Sequence, residues 1–272
     1  MSVTLSAKRP SVSSALLPRG IWLFPALLVL ASSLLEVVAL GGVWSERFIW
    51  QGEVWLGCVE MGLIGLLLLN GIRIREWVKS AGIAGPKAHR ATDLCLFSLI
   101  LCALGDLVNR NFSGSYFAYD SVIEHSYLVD SVWFFLPGYF VYLLAVWQTA
   151  RVPRLVKSFS VLVAGGAGLI SFLGMVLPQT SEYAQVVTGL YAVVITNMAA
   201  AALWIALSWR HPLGYWVAVG AALASVADAI IGQFWLYGHG YYPAVAHINW
   251  IIYFLSQALI QQLPVLLALH DR

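Results

Sequence analysis

The stretch Cys102-Ala103-Leu104-Gly105-Asp106-Leu107-Val108-Asn109-Arg110-Asn111-Phe112 closes an apolar run that begins near Ala91. It puts an aspartate inside a segment long enough to cross a bilayer. A carboxylate at that depth costs roughly 3 kcal/mol or more, so it demands a partner, a proton or a function. A second stretch repeats the device: Ser225-Val226-Ala227-Asp228 also ends an apolar run, and Phe234 follows Asp228 at the distance at which Phe112 follows Asp106. The rest of the chain reads as a scaffold that brings these two aspartates together.

Composition says what kind of scaffold. The chain has 272 residues, of which 60% are hydrophobic and only 10% charged, with a mean hydropathy of +0.81; a soluble domain carries about 25% charge. This is an all-α polytopic membrane bundle. One transmembrane domain is expected over 21–270, behind a disordered cytoplasmic tail over 1–20 that is rich in Ser, Lys, Arg and Pro. That tail has the charge of a signal-peptide start, but the apolar run after it shows no small-residue cleavage site, so it is read as a tail before a retained helix. A net charge of +2 gives no reason to expect nucleic acid. Cys58, Cys95 and Cys102 all fall in apolar runs and read as small packing residues.

A spanning helix needs about 20 apolar residues. Eight stretches qualify, at about 21–43, 54–72, 91–109, 130–150, 157–177, 184–208, 213–236 and 246–269. Pro25, Pro178, Pro212 and Pro264 fall near span ends, and Pro137 lies nearer a span interior, where it kinks the fourth helix. With eight spans, thirteen of the fifteen Lys and Arg residues lie on one side and only Arg47 and Arg110 on the other. Cationic loops stay cytoplasmic, so both termini are expected in the cytoplasm, with the protein integral to a bacterial cytoplasmic membrane. The outer loops are aromatic, with Trp44, Trp50, Tyr116, Tyr119, Tyr127, Tyr237, Tyr241 and Tyr242, and suit an interfacial belt.

Depth follows from the helical rise. Asp106, Asp228 and Glu36 each lie about 15 residues from the cytoplasmic start of their spans, so roughly 22 Å up at about 1.5 Å per residue. Glu60, on a span running the other way, falls roughly 9 Å below the outer surface. Four carboxyl groups on four helices thus share one layer, with Asp130 and Asn249 just above it. Bland roles exist for some of them. Asp106 can pair with Arg110 at i+4, and Glu36 has Ser32 and Ser33 on the preceding turn. Asp228 has no basic residue in helical reach, so it is protonated, faces a polar cavity or finds a partner on another helix. His125, His239 and His247 match no compact metal motif, and no metal or other cofactor is expected. Gly-rich phosphate loops, Gly-x-Ser-x-Gly and His-Glu-x-x-His are absent, which leaves carboxyl acid–base chemistry on a substrate held in the bilayer.

Three segments resemble the YhhN family of eight-helix membrane proteins, the lysoplasmalogenases. Leu104-Gly105-Asp106 is similar to the family's Leu-Gly-Asp near a span end. Leu190-Tyr191-Ala192 followed by Met198 is similar to its Tyr-Ala…Met-Ala span. Ala227-Asp228 leading to Tyr253-Phe254-Leu255-Ser256-Gln257-Ala258-Leu259-Ile260 resembles its closing Ser-Asp…Tyr-Phe-Leu-Ala-Gln segment. The family's fourth span carries a Gly-His or Ala-His, whereas here Gly138-Tyr139 puts Tyr139 where that His stands; His125, in the longer outer loop, is a candidate to stand in for it.

The resemblance implies hydrolysis of the vinyl-ether bond of a lysoplasmalogen, a membrane lysolipid, to a fatty aldehyde and a glycerophospho-ethanolamine or -choline. A vinyl ether is hydrolysed by protonation at carbon, followed by attack of water on the resulting oxocarbenium ion. An apolar, carboxyl-rich bundle favours a carboxyl that keeps its proton, and an ionised neighbour stabilises the cation. Asp228 is the expected acid and Asp106 the expected ionised partner, its charge held by Arg110. Asn109, Tyr253, Gln257, Glu36, Glu60 and Tyr139 are expected around the substrate. The alternatives are a non-catalytic lipid-binding or signalling protein of the same fold and a proton-coupled transporter, the latter disfavoured because the carboxyls cluster on one side.

Overall fold

A computed structural model describes residues 19–41, 49–80, 85–110, 112, 127–149, 162, 165–170, 172–173, 182–232 and 243–270. Its long helices are α1 (Arg19–Leu40), α2 (Ile49–Ser80), α3 (Pro86–Asn109), α4 (Tyr127–Thr149), α5 (Glu182–Trp209), α6 (Pro212–Ile231) and α7 (Pro243–Ile260), followed by the short α8 (Leu263–His270). Seven segments among the described residues are long and apolar enough to cross a membrane, the last running through α7 and α8. They correspond to seven of the eight expected spans. The fifth, 157–177, is helical at 162, 165–170 and 172–173 and otherwise lies outside the described residues. So do the tail over 1–18, Trp44, Tyr116, Tyr119, His125, Tyr237, His239, Tyr241, Tyr242 and the loop after α4.

Several helices run past their expected ends. α2 extends to Ser80 rather than residue 72 because its polar last turns are tied down: Asp93 of α3 accepts from Arg75 Nε at 2.5 Å and from Lys79 Nζ at 2.9 Å. α3 starts at Pro86, five residues early, where a proline in the first turn needs no N–H partner. α5 and α6 are separated only by Arg210 and His211. Arg210 takes φ +50°, the one positive φ outside glycine among the described residues, and His211 Nδ1 accepts from the Leu213 N–H at 3.2 Å. Such a pair ends one helix and starts the next without a loop.

The helices pack as a closed ring, each of α1 to α7 against its neighbours in the chain, with α7 returning to α1. The span through α7 and α8 is the innermost: 78% of its apolar window is buried, against 22% for α1. Helices that face lipid on one side gain little from hydrophobic association, so contact depends on small residues. The α3–α4 contact shows it. A Cβ on Gly105 would sit 2.8 Å from the Phe135 ring, and one on Gly138 would meet Cys102 Sγ at 3.0 Å and the Ser98 carbonyl at 3.3 Å. Asp106 and Tyr139 directly follow these glycines, so the closest approach of the two helices carries both side chains inward.

The last span departs from the expected single helix. It breaks at Gln261–Gln262 between α7 and α8. Pro264, read from the sequence as an end signal, lies just past this internal break. It cannot donate to the Ile260 carbonyl, and the buried Tyr142 hydroxyl donates there instead, at 2.8 Å.

Candidate functional site

Asp106, near the end of α3, is almost fully buried. Tyr253 of α7 donates its hydroxyl to Asp106 Oδ2 at 2.8 Å. Asp228, on the last turn of α6, is partly buried, and Tyr191 of α5 donates to its Oδ2 at 2.7 Å. Each aspartate thus has a tyrosine hydroxyl from another helix. The two carboxyl groups lie within electrostatic reach of one another, and both lie within electrostatic reach of the Tyr139 phenol.

Aromatic rings tie the pairs together. The Tyr139 ring is 5.9 Å from Tyr191 and 6.4 Å from Phe135, and Phe135 meets Tyr253 edge-on at 6.0 Å. Rings at these separations pack in mutually orienting contact. Tyr139 is fully buried, and its hydroxyl accepts from Gln257 Nε2 at 2.9 Å.

A second polar layer sits one turn outward. Arg110 pairs with Glu60, and its guanidinium lies over the Trp250 ring, 4.3 Å from the centroid. His247 Nδ1 is 2.6 Å from Glu36 Oε2. The Glu36 and Glu60 carboxyls are within hydrogen-bond reach of each other, and Glu60 also feels Asp106. Electrostatic coupling links Glu36 to Glu60, Glu60 to Asp106 and Asp106 to Asp228, so the four carboxyls lie in one neighbourhood spread over these two layers.

Two expected pairings are corrected. Arg110 does not close onto Asp106 as its i+4 partner: Asp106 turns inward to Tyr253, while the guanidinium reaches Glu60 and stacks on Trp250. Glu36 takes His247 rather than the serines on its own helix, and the Ser32 hydroxyl accepts from Trp250 Nε1 at 3.1 Å. Of the other residues expected at the site, Gln257 faces Tyr139, and Asn109 has a buried Oδ1 that accepts no hydrogen bond among the described residues. Tyr253 contacts Asp106 directly instead of standing ready for water or an ether oxygen.

Sequence reasoning did not assign Tyr191, His247 and Trp250 to the site. Tyr191 lies in one of the segments that carried the resemblance, which was the available signal. No group of three or more His, Cys, Asp or Glu that could hold a metal occurs among the described residues.

The model of the YhhN family matches residues 61–263. That stretch includes Asp106, Tyr139, Tyr191, Asp228 and Tyr253 and excludes Glu36 and Glu60. No curated protein and no solved structure matches the chain.

Proposed function

This chain belongs to the YhhN family, and on that premise we propose that it is an intramembrane hydrolase that cleaves the vinyl-ether bond of a lysoplasmalogen-type lysolipid. The observation that carries the reading is the pair of intramembrane aspartates, each holding a tyrosine hydroxyl, within electrostatic reach of each other and of Tyr139. Carboxyl groups are costly in a bilayer, and two brought together from different helices suit a reaction that needs both an acid and an anion.

Asp228 is the acid. Partly buried, it reaches a substrate more readily than Asp106 does. It gives its proton to the vinyl carbon remote from the ether oxygen, and the π electrons form the new C–H bond. The carbon attached to oxygen becomes an oxocarbenium ion. Asp106, fixed by Tyr253 and facing the cation as an anion, stabilises that charge. Water adds to the cation and a carboxylate takes its proton. The hemiacetal then collapses: the glycerol oxygen leaves with a proton and the aldehyde remains. One water is consumed and the acid is restored. Tyr191 and Tyr253 keep one oxygen of each carboxyl occupied, which leaves the other free for the reacting atoms.

The substrate enters from the membrane, and the topology proposed for this chemistry places both termini in the cytoplasm and the aspartates in the outer half of the bilayer. A second reading, lipid binding without turnover, is favoured by one observation: the Tyr139 hydroxyl stands in place of the family's histidine and is engaged by Gln257.

Aldehyde release from a lysoplasmalogen by purified protein tests the proposal. Asp228→Asn should lower turnover at least about 100-fold, in the range for removal of a general acid. Asp106→Asn should lower it comparably through the uncompensated cation. Full activity in both variants would leave the carboxyls a structural role only.

A further inference from the structure

A group of buried amides lies along α7, away from the charged layer. Asn70 of α2 donates from Nδ2 to Gln261 Oε1 at 3.5 Å, and both residues are buried. That bond uses half of each amide. Asn70 Oδ1 and Gln261 Nε2 have no partner among the described residues, and neither have Gln262 Oε1 at the helix break and Gln257 Oε1. Gln257 lies one turn before Gln261, about 6 Å along the axis. Turning both amides of the Asn70–Gln261 pair over only exchanges the atoms: one donor and one acceptor are still left. The same holds for Gln257, which meets Tyr139 through one of its two polar atoms. In a bilayer such atoms cannot turn to solvent, and leaving them unbonded is costly.

These amides lie on a seam. On α3, Thr92, Cys95, Ser98, Cys102 and Asp106 are all buried and, at spacings of three and four residues, share one face. On α7, Tyr253, Gln257 and Gln261 share a face at spacings of four. The two faces meet at one end, where Tyr253 donates to Asp106. They meet again where Gln261, Thr92 and Cys95 line a cavity of about 10 Å³, room for a single water. Between these ends Gln257 donates to Tyr139, and Cys102 is within electrostatic reach of the Tyr139 phenol. We propose that the seam binds a file of water anchored at Asn70, Gln261 and Gln262, and that the water consumed at the aspartates is drawn along it from the α8 end of the bundle. The role of this water as reactant rests on the hydrolase reading above; its binding sites do not.

Water suits these atoms better than an ion or an acyl chain. It donates and accepts at once, and a buried water ordinarily makes about three hydrogen bonds. The leftover N–H and the leftover carbonyls supply both kinds of partner. A cation would want carboxylates, and the residues lining the cavity beside Gln261 include none. An acyl chain offers neither donor nor acceptor. The opposite end of the bundle is a poorer entrance. There Arg110 pairs with Glu60 and covers the Trp250 ring, His247 pairs with Glu36, and the two carboxyls bond each other. Water crossing that layer has to part groups that already hold one another, whereas along the seam it meets amide atoms with nothing else to bind.

Radiolytic labelling tests this without turnover. Full-length protein in lipid nanodiscs is equilibrated with heavy-oxygen water. A short X-ray pulse turns bound water into hydroxyl radicals, which oxidise the side chains beside them. Mass spectrometry should find the heavy oxygen on Cys95 and on Tyr139. Gln261→Leu removes both polar atoms of that amide at similar size. An apolar wall holds no water, so labelling of both residues should fall at least about tenfold, although the amide that meets Tyr139 is Gln257. Turnover should fall in the same variant while KM for the lysolipid stays unchanged. Unlabelled Cys95 in the unaltered protein overturns the proposal whether or not any variant folds. So does Tyr139 labelling that Gln261→Leu leaves unchanged, which would mean water arriving through the charged layer, and so does undiminished turnover with the seam dry. Labelling on the expected pattern without aldehyde release would defeat the hydrolase reading alone; aldehyde release with Cys95 unlabelled would defeat this one alone.

Discussion

Removing one oxygen atom from Tyr253 is the sharpest probe of the site. Tyr253→Phe keeps the ring that packs edge-on against Phe135 and lies 5.7 Å from Trp250. It deletes only the donor 2.8 Å from Asp106 Oδ2, where both partners are buried. A hydrogen bond to a charged group contributes about 1.5–3 kcal/mol. If Asp106 must hold its charge against the oxocarbenium ion, that loss appears in the barrier, and at about 1.4 kcal/mol per decade turnover should fall roughly 10- to 150-fold. The measurement is aldehyde released per minute by equal amounts of monodisperse protein. Because Tyr253 and Asp106 act as one unit, the effects should not add. With Asp106→Asn already in place, Tyr253→Phe should cost no more than about a further threefold, given that a neutral partner gains less from the donor. Tyr191→Phe, on the other pair, should combine with Tyr253→Phe close to additively in free energy. Undiminished turnover in Tyr253→Phe, or full additivity with Asp106→Asn, would refute the reasoning.

Gly105→Ala puts a methyl group 2.8–2.9 Å from three Phe135 ring atoms. Overpacking of about 1–3 kcal/mol outweighs the gain of up to about 1 kcal/mol in helix propensity, so the thermal midpoint in detergent should drop and Asp106 should lose activity with it. Tyr142→Phe leaves the Ile260 carbonyl without the donor that replaces Pro264; the expected loss is about 1–3 kcal/mol of stability, read as a lower denaturation midpoint with KM unchanged. Tyr139→His restores the family's residue at its one clear departure and should raise aldehyde release; no gain would mean that this histidine does not limit turnover here. A reporter fused after Arg272 should be active only in the cytoplasm, and activity only outside it would overturn the proposed orientation.

The bundle and the two aspartates were legible because each violates an expectation that is strong in a membrane. An apolar run of about 20 residues has few other uses, and a carboxyl inside one is rare. Tyr253 was expected near the substrate, but which tyrosine each aspartate takes was not legible, for the opposite reason. Tyrosine is common in this chain, with 12 among 272 residues, and nothing local marks Tyr191 or Tyr253 as a donor. Their aspartates are 37 and 147 residues away in sequence: Tyr191 meets Asp228 across the neighbouring helices α5 and α6, and Tyr253 meets Asp106 only because the bundle brings α7 against α3. Arg110 shows how a local rule fails inside a bundle. The i+4 pairing rule describes exposed helix faces, where no other helix competes. Here Asp106 points inward, and α7 offers it a buried hydroxyl. The guanidinium then goes where both a carboxylate and a ring face are available, and the same competition moves Glu36 from its own serines to His247. The break at Gln261–Gln262 follows the same logic. Pro264 signals a helix end, but the apolar run continues past it, and composition cannot tell a terminus from an internal break. What makes the break tolerable is Tyr142, 118 residues earlier, supplying the hydrogen bond that proline cannot. In a bilayer every backbone carbonyl must find a donor within the protein, so a polar group on one helix is read correctly only with the helix that satisfies it.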